Sequence, residues 1–337
     1  MDAHRLRCPD LNPTALDPTA LDPAPGELPR PAERPTMYFI GVTTGSSSIR
    51  TVFPRWVEAL RLGDVPLVGI DLPPHAAAAD YRRVVEFIAA DPLSVGALVT
   101  THKIDLYLAC QDLFDEVDPL AKLMGEVSSL SKRGGRLVAH AKDPISSGLA
   151  IDAILPPGYW AATGAEAFLM GAGGSAIAIS WYLTRPERGA DRPSRIVVSN
   201  RGQVRLDTLG RVHGELGTDV EVRTVHTPKP GDNDRLLAGL PEGSLVVNAT
   251  GLGKDAPGSP LTDAAAWPAG ALAWDLNYRG DLVFLDQARR AGVRLEDGWV
   301  YFVHGWTQVI SEVFDVAIPT SGPRFDELGQ IASAARR

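Results

Sequence analysis

The chain has 337 residues, 45% of them hydrophobic and 22% charged, with a net charge of −8. That length suggests two domains with a sizeable core, and an acidic balance without a basic stripe excludes nucleic acid as a partner. No apolar run approaches the ~20 residues of a membrane span and no secretory segment opens the chain, so the expected location is cytoplasmic.

Residues 1–36 form a proline-rich tail in which a Thr-Ala-Leu-Asp-Pro unit repeats between Pro13 and Pro23. Prolines at this density block helix and central strand alike, so the tail is expected to be disordered, with globular structure beginning at Met37. A start misassigned upstream of Met37 accounts for the tail equally well. The two cysteines, Cys8 in this tail and Cys110 in a helical pattern, make neither a disulfide framework nor a metal site.

From Met37 onward strand and helix alternate. Tyr38–Val42, Val65–Ile70, Val95–Val99 and Gly125–Leu130 read as strands, and Ile49–Leu62, Ala76–Ala89 and Ile104–Cys110 as helices. The first strand releases Thr43-Thr44-Gly45-Ser46-Ser47-Ser48, a run of hydroxyls suited to a carboxylate or polyol at a helix N-terminus. The third releases Thr100-Thr101-His102-Lys103, and Ala141-Lys142-Asp143 closes the layer. A lysine and a carboxylate converging on a cleft make a proton-transfer pair. Hydride addition to a ketone creates an alkoxide that an ammonium protonates while the carboxylate orients it. His102, beside the lysine, reads as packing or a contact at the substrate's rim.

A second layer opens with the apolar run Ala167-Phe168-Leu169-Met170, the turn Gly171-Ala172-Gly173-Gly174-Ser175-Ala176 and a helix-like stretch from Ile177 to Leu183. Strand, tight glycine turn and helix leave backbone N–H groups, at the positive end of a helix dipole, pointing at a dinucleotide's pyrophosphate. Gly171 makes the sharp turn, Gly173 lets the phosphates approach, and Ala176 lets helix and strand pack closely. The next strand, ending near Ser199, runs into Asn200-Arg201-Gly202-Gln203-Val204-Arg205. This position faces the adenosine ribose. With no acid to accept from a 2′-OH, and two arginines four apart to pair with a 2′-phosphate, NADP is favoured over NAD. Near the end, Trp299, Tyr301 and Trp306 read as core and cleft wall ahead of a helical stretch near 307–316 that returns to the first layer. No spacing of His, Cys, Asp or Glu suggests a metal.

Over nearly all of residues 37–319 these pieces together resemble the shikimate and quinate dehydrogenase family. Ser46-Ser47-Ser48 is similar to its Ser-x-Ser motif, and Leu98 to Lys103 resembles Asn-Val-Thr-x-Pro-x-Lys shortened by one residue. Ala141-Lys142-Asp143 falls on Asn-Thr-Asp, Gly171 to Gly174 on Gly-Ala-Gly-Gly, and Asn200 to Arg205 on the family's NADP-binding Asn-Arg motif. Asn248-Ala249-Thr250 and Asp275-Leu276-Asn277-Tyr278 match two further motifs in order.

The resemblance implies an α/β fold of two α/β domains. A substrate-binding domain spans 37–143 and a Rossmann-type NADP-binding domain 144–285; a C-terminal segment, 286–337, packs back on the first domain and ends in a disordered tail. It implies an NADP-dependent dehydrogenase with Lys103 and Asp143 as the catalytic pair. Ser46, Ser48, Thr100, Ser128, Tyr278 and Gln308 would face the substrate. Gly171, Gly173, Gly174, Ser175, Asn200, Arg201, Arg205, Asn248 and Thr250 would surround the cofactor. The partner is a small molecule, with the protein a monomer or homodimer. Where the family carries asparagines against substrate hydroxyls, this chain has Leu98, Ser128 and Ala141, and Gly305 follows His304 where its glutamine is expected. Each lost amide removes about 1 kcal/mol of polyol recognition. The expected substrate is therefore shikimate or a related ring such as quinate, an aminoshikimate or a C7-cyclitol ketone. A catalytically idle ligand sensor is the alternative, against which the presence of both Lys103 and Asp143 counts. A folate-type dehydrogenase is disfavoured by the matches at Ser46 to Ser48 and Asp275 to Tyr278.

Overall fold

In the computed structural model, which describes residues 21–254 and 256–336, the chain builds two six-stranded sheets one after the other. The first comes from β1 (Thr36–Gly41), α1 (Ile49–Leu60), β2 (Leu67–Asp71), α2 (Ala78–Ala90), β3 (Ser94–Val99), α3 (Lys103–Cys110), β4 (Glu116–Val117), α4 (Pro119–Met124), β5 (Ser129–Arg133) and β6 (Arg136–His140). Its order is β2-β1-β3-β5-β6-β4, with β1 parallel to both neighbours and β5 antiparallel to β3 and β6. All six residues of β1 are buried, as expected of a parallel strand covered on both faces. Met37 and Phe39 point into one layer and Tyr38 and Ile40 into the other.

Helices α5 (Asp143–Ile154) and α6 (Tyr159–Thr163) lead to the second sheet: β7 (Ala167–Met170), α7 (Gly174–Thr184), β8 (Arg195–Asn200), α8 (Gln203–Leu216), β9 (Glu221–His226), α9 (Pro230–Leu237), β10 (Leu245–Asn248), β11 (Leu272–Asp275), α10 (Val283–Arg290) and β12 (Arg294–Glu296). The order β9-β8-β7-β10-β11-β12, parallel throughout, is the doubly wound dinucleotide-binding arrangement, whose strand order reverses between β7 and β10. The chain then returns through α11 (Trp299–Phe314) and α12 (Pro323–Ala334). Ile49, Val52, Phe53, Trp56 and Val57 form the apolar stripe of α1, and it packs in one core with Trp306 and Ile310 of α11 and Leu328 of α12. The Trp56 indole donates to Leu328 O at 2.9 Å.

Several expectations need correction. Residues 1–20 lie outside the described residues, but the rest of the supposedly disordered tail is laid along the first sheet. Asp22 pairs with Arg50 and accepts from Gly69 N at 2.7 Å, and Ala32 N donates to Asp91 Oδ2 at 3.0 Å. The strand expected over Gly125–Leu130 begins at Ser129 instead, because Gly125 caps α4 in the left-handed conformation and turns the chain. The Gly134-Gly135 turn then closes a β5–β6 hairpin, whose second strand ends at His140. The second sheet runs past 285 to Glu296, and α12, placed in an expected disordered tail, is a packed helix. Among the described residues no helix is long and apolar enough to cross a membrane.

Candidate active site

A cavity of about 410 Å³ opens where the chain leaves β3 on one side and β7, β10 and β11 on the other. Its walls include Thr100, Lys103 and Asp143 from the first half of the chain, and Gly174, Thr250 and Tyr278 from the second. Sites at this place in the doubly wound fold follow from the strand-order reversal, which leaves a crevice beyond the strands' carboxyl ends.

The exit of β3 is tight. Thr101 adopts φ 60°, and His102 N bonds back to Thr100 O at 2.5 Å, which compresses the turn before α3. A non-glycine residue held at positive φ stores strain of the kind found at functional sites. The turn makes Lys103 the first residue of α3, where the helix dipole disfavours a cation. Asp143 compensates: it opens α5, where the dipole favours an anion, and its Oδ2 accepts from Lys103 Nζ. The two side chains are 17% and 8% exposed. Burial pushes the Lys103 ammonium down, but Asp143 and Glu126 outweigh it and hold the amine above its usual range.

Two groups complete this cluster. The Tyr301 hydroxyl donates to Asp143 Oδ2 at 2.9 Å, and burial, with Asp143, pushes the phenol well above its ordinary range while the Ser175 hydroxyl pulls the other way. Glu126 is fully buried, and burial and Asp143 push its carboxyl up to about 8 against the opposing pull of Lys103. Sequence reasoning placed Tyr301 on the wall and no more, and it missed Glu126, which carries no motif. His102, adjacent to the lysine, is buried and bonded through Nδ1 to the Tyr81 hydroxyl at 3.0 Å.

On the opposite wall Gly171 has φ 105°, and a Cβ there would stand 2.6 Å from Ala249 O, so the turn admits only glycine. Gly173, Gly174 and Ser175 reach the cavity, and among the described residues beyond its own chain neighbours nothing lies within 4 Å of where a Cβ on Gly173 would sit, which leaves the open approach a pyrophosphate needs. Asn248 does not face it. Fully buried, it donates to both oxygens of Asp275 at 3.2 Å and accepts from Thr250 Oγ1 at 2.6 Å, so it brackets the two loops and presents Thr250 instead. Burial, partly offset by hydrogen bonds from Asn277 and Asn248, pushes Asp275 up to about 7.

The remaining candidates divide. Thr100 and Tyr278 line both this cavity and a smaller adjoining one of about 120 Å³. Ser128 lines the main cavity, but its Oγ is engaged by Lys142 N at 2.7 Å. Ser46 and Ser48 do not line either space. Ser46 turns outward, where Arg279 Nη1 donates to its Oγ at 2.8 Å, and the neighbour Ser47 lines the smaller cavity with Arg279 and Lys254. Gln308 lies off the cavity-facing stripe of α11, which is Tyr301, Phe302, Gly305, Trp306 and Val309. Arg201 precedes α8 and is exposed, whereas Arg205 lies inside that helix, lines the cavity and stands 3.6 Å from Asp105 across it. The two arginines therefore do not share a helix face. Asn200 Nδ2 donates to Gly202 O at 2.9 Å and holds that turn.

No family model matches the chain. Among curated proteins it is 31% identical over 193 residues to the shikimate dehydrogenase (NADP(+)) of Symbiobacterium thermophilum, a match covering 56% of this chain and 61% of that relative. It is 30% identical over 240 residues to the enzyme of the same name from Methanothrix thermoacetophila, covering 70% of this chain and 78% of the relative. Among solved structures, shikimate 5-dehydrogenase of Thermus thermophilus in complex with NADP(H) and shikimate superposes with a TM-score of 0.65 at 22% identity, over 89% of this chain and 99% of that one.

Proposed function

The chain belongs to the shikimate dehydrogenase family, and from that premise we propose that it is an NADP-dependent dehydrogenase that reversibly oxidises a ring hydroxyl of shikimate or a closely related polyhydroxylated ring. The observation that carries this reading is the buried Lys103–Asp143 pair in a cavity shared with the glycine turn.

The residues present fit the cofactor. Gly173, Gly174 and Ser175 would hold the pyrophosphate at the start of α7, and Arg205, with Arg201, the 2′-phosphate. Bound there, the nicotinamide would supply the hydride acceptor in oxidation and the hydride donor in reduction. Lys103 would move the proton: neutral, it would take it from the substrate's hydroxyl, and as an ammonium it would return it to the forming alkoxide. Asp143 orients the amine, and Tyr301 fixes the carboxylate from the other side. Thr100 and Tyr278 offer hydroxyls to the ring.

Leu98 and Ala141 are buried and apolar, and Ser128, whose Oγ already accepts from Lys142 N, has a single hydroxyl proton left to donate. This supports a ring whose substituents differ from those of shikimate, such as quinate, an aminoshikimate or a C7-cyclitol ketone. NADP⁺ reduction followed against a panel of cyclic polyols and their acids tests the reading. Turnover of a member, abolished in Lys103→Met, is the expected result; a panel without turnover at any pH would overturn it.

A further inference from the structure

Neither carboxylate oxygen of Glu126 meets a hydrogen-bond donor, although the side chain is 0% exposed. Backbone geometry puts it there. Glu126 follows the left-handed cap Gly125, and the next amide, Val127 N, donates to Lys103 O at 3.1 Å, which ties this loop to the first residue of α3. The side chain then crosses the cleft floor, so that Oε2 lies where a Cβ on Gly174 would fall. A buried carboxylate without a donor is costly unless a cation or a proton accompanies it. The titratable groups around it are Lys103 on α3, Asp143 on α5 and Tyr301 on α11, with His75, His102, Asp105, Arg205, Lys254 and Tyr278 elsewhere on the cavity wall.

We propose that Glu126 is a positioning residue of this site: with Asp143 it holds the proton on Lys103, and it thereby sets the pH at which that amine can accept a proton from a substrate hydroxyl. The inference rests on Lys103 as the base. Two carboxylates around one ammonium leave the cluster with a surplus negative charge once all three are ionised, and a surplus negative charge strengthens proton binding at the amine. The Glu126 carboxyl, pushed up to about 8, loses its proton before Lys103 does, so its charge is present when Lys103 titrates.

The test uses the full chain labelled with ¹³C-lysine, with the Lys103 Cε resonance assigned from Lys103→Met and followed against pH. In Glu126→Gln the Lys103 midpoint should fall by about one pH unit or more, while Glu126→Asp, which keeps the charge, should hold it near the original value. An unmoved midpoint in Glu126→Gln overturns the proposal. In the kinetic arm, with shikimate and NADP⁺ as probes, the alkaline limb of kcat/KM should shift with the resonance, raising oxidation about tenfold on the sloping limb. A resonance that moves while the limb stays fixed upholds the hold of Glu126 on Lys103 but removes Lys103 as the base, so the two readings fail separately.

Discussion

Replacing Asp143 by asparagine separates the stabilising and the chemical contributions of one carboxylate. Lys103 and Asp143 are 17% and 8% exposed, within the regime where stranding one partner of a buried pair costs about 3–5 kcal/mol. Here the lysine is not stranded. Glu126 still acts on it, and asparagine keeps an acceptor oxygen for Lys103 and Tyr301. The expected loss is therefore about 1–2 kcal/mol, read from urea unfolding. Glu126→Gln alone removes a buried carboxylate that has no donor and should be close to neutral. The double variant leaves Lys103 without a counter-charge in the cluster, so the roughly 3–5 kcal/mol penalty returns and the two substitutions couple by about 1–3 kcal/mol. Turnover should behave differently: Asp143→Asn alone should lower kcat at least about a hundredfold with substrate binding largely kept. Strictly additive stabilities would refute the shared electrostatics, and near-normal turnover in the single variant would refute the orienting role.

Three further outcomes are expected. Titration should show NADP binding more tightly than NAD, with Arg201→Ala plus Arg205→Ala erasing most of the difference, since each charge-assisted phosphate contact is worth roughly 1.5–3 kcal/mol; equal affinities in the unmodified protein would count against it. Gly171→Ala should destabilise by at least about 2 kcal/mol because its Cβ meets the Ala249 backbone at positive φ, whereas Gly174→Ala, meeting only the end of the Glu126 side chain, should be milder in thermal melts; equal losses would contradict the distinction. His213 and His304 are each pushed down to about 4 by burial. Between about pH 6.5 and 4 the unfolded chain takes up protons that the native protein refuses, so stability should fall with pH by about 1.4 kcal/mol per unit per histidine. Urea midpoints at pH 7 and 5 measure the slope, and a slope that His213→Asn leaves unreduced would be the contrary result.

What was legible in the sequence was local. The glycine turn between Met170 and Gly174 announces itself because strand, turn and helix are contiguous, and the Lys103 and Asp143 signals sit at strand exits where backbone direction is already settled. Contacts between distant segments were not. Asn248 and Asp275 lie 27 residues apart, and nothing in either motif says that one side chain is consumed in holding the other. Ser46 faces out because Arg279, 233 residues later, claims its hydroxyl. The prolines of the tail do prevent helix and strand, but extended backbone can still be pinned by a carboxylate such as Asp22. Glu126 carries no motif at all; its burial arises from the cap at Gly125 and the approach of α7, neither visible in a residue taken alone.

The core that joins α1, α11 and α12 has a consequence for how the protein is made. Met37, Phe39, Ile49, Val52 and Trp56 emerge early from a ribosome, yet the surface they need is supplied by Trp299, Val303, Trp306, Ile310 and Leu328. The apolar face of the first sheet must wait, uncovered, while more than two hundred residues are synthesised. The buried cores on the second sheet are made of residues 121–288 and need none of α11 or α12. That face of the first sheet is thus completed only when α11 and α12 have been made, although its opposite face closes with residues 38–139, and a chain stalled before α11 leaves Met37, Phe39, Ile49, Val52 and Trp56 without their cover.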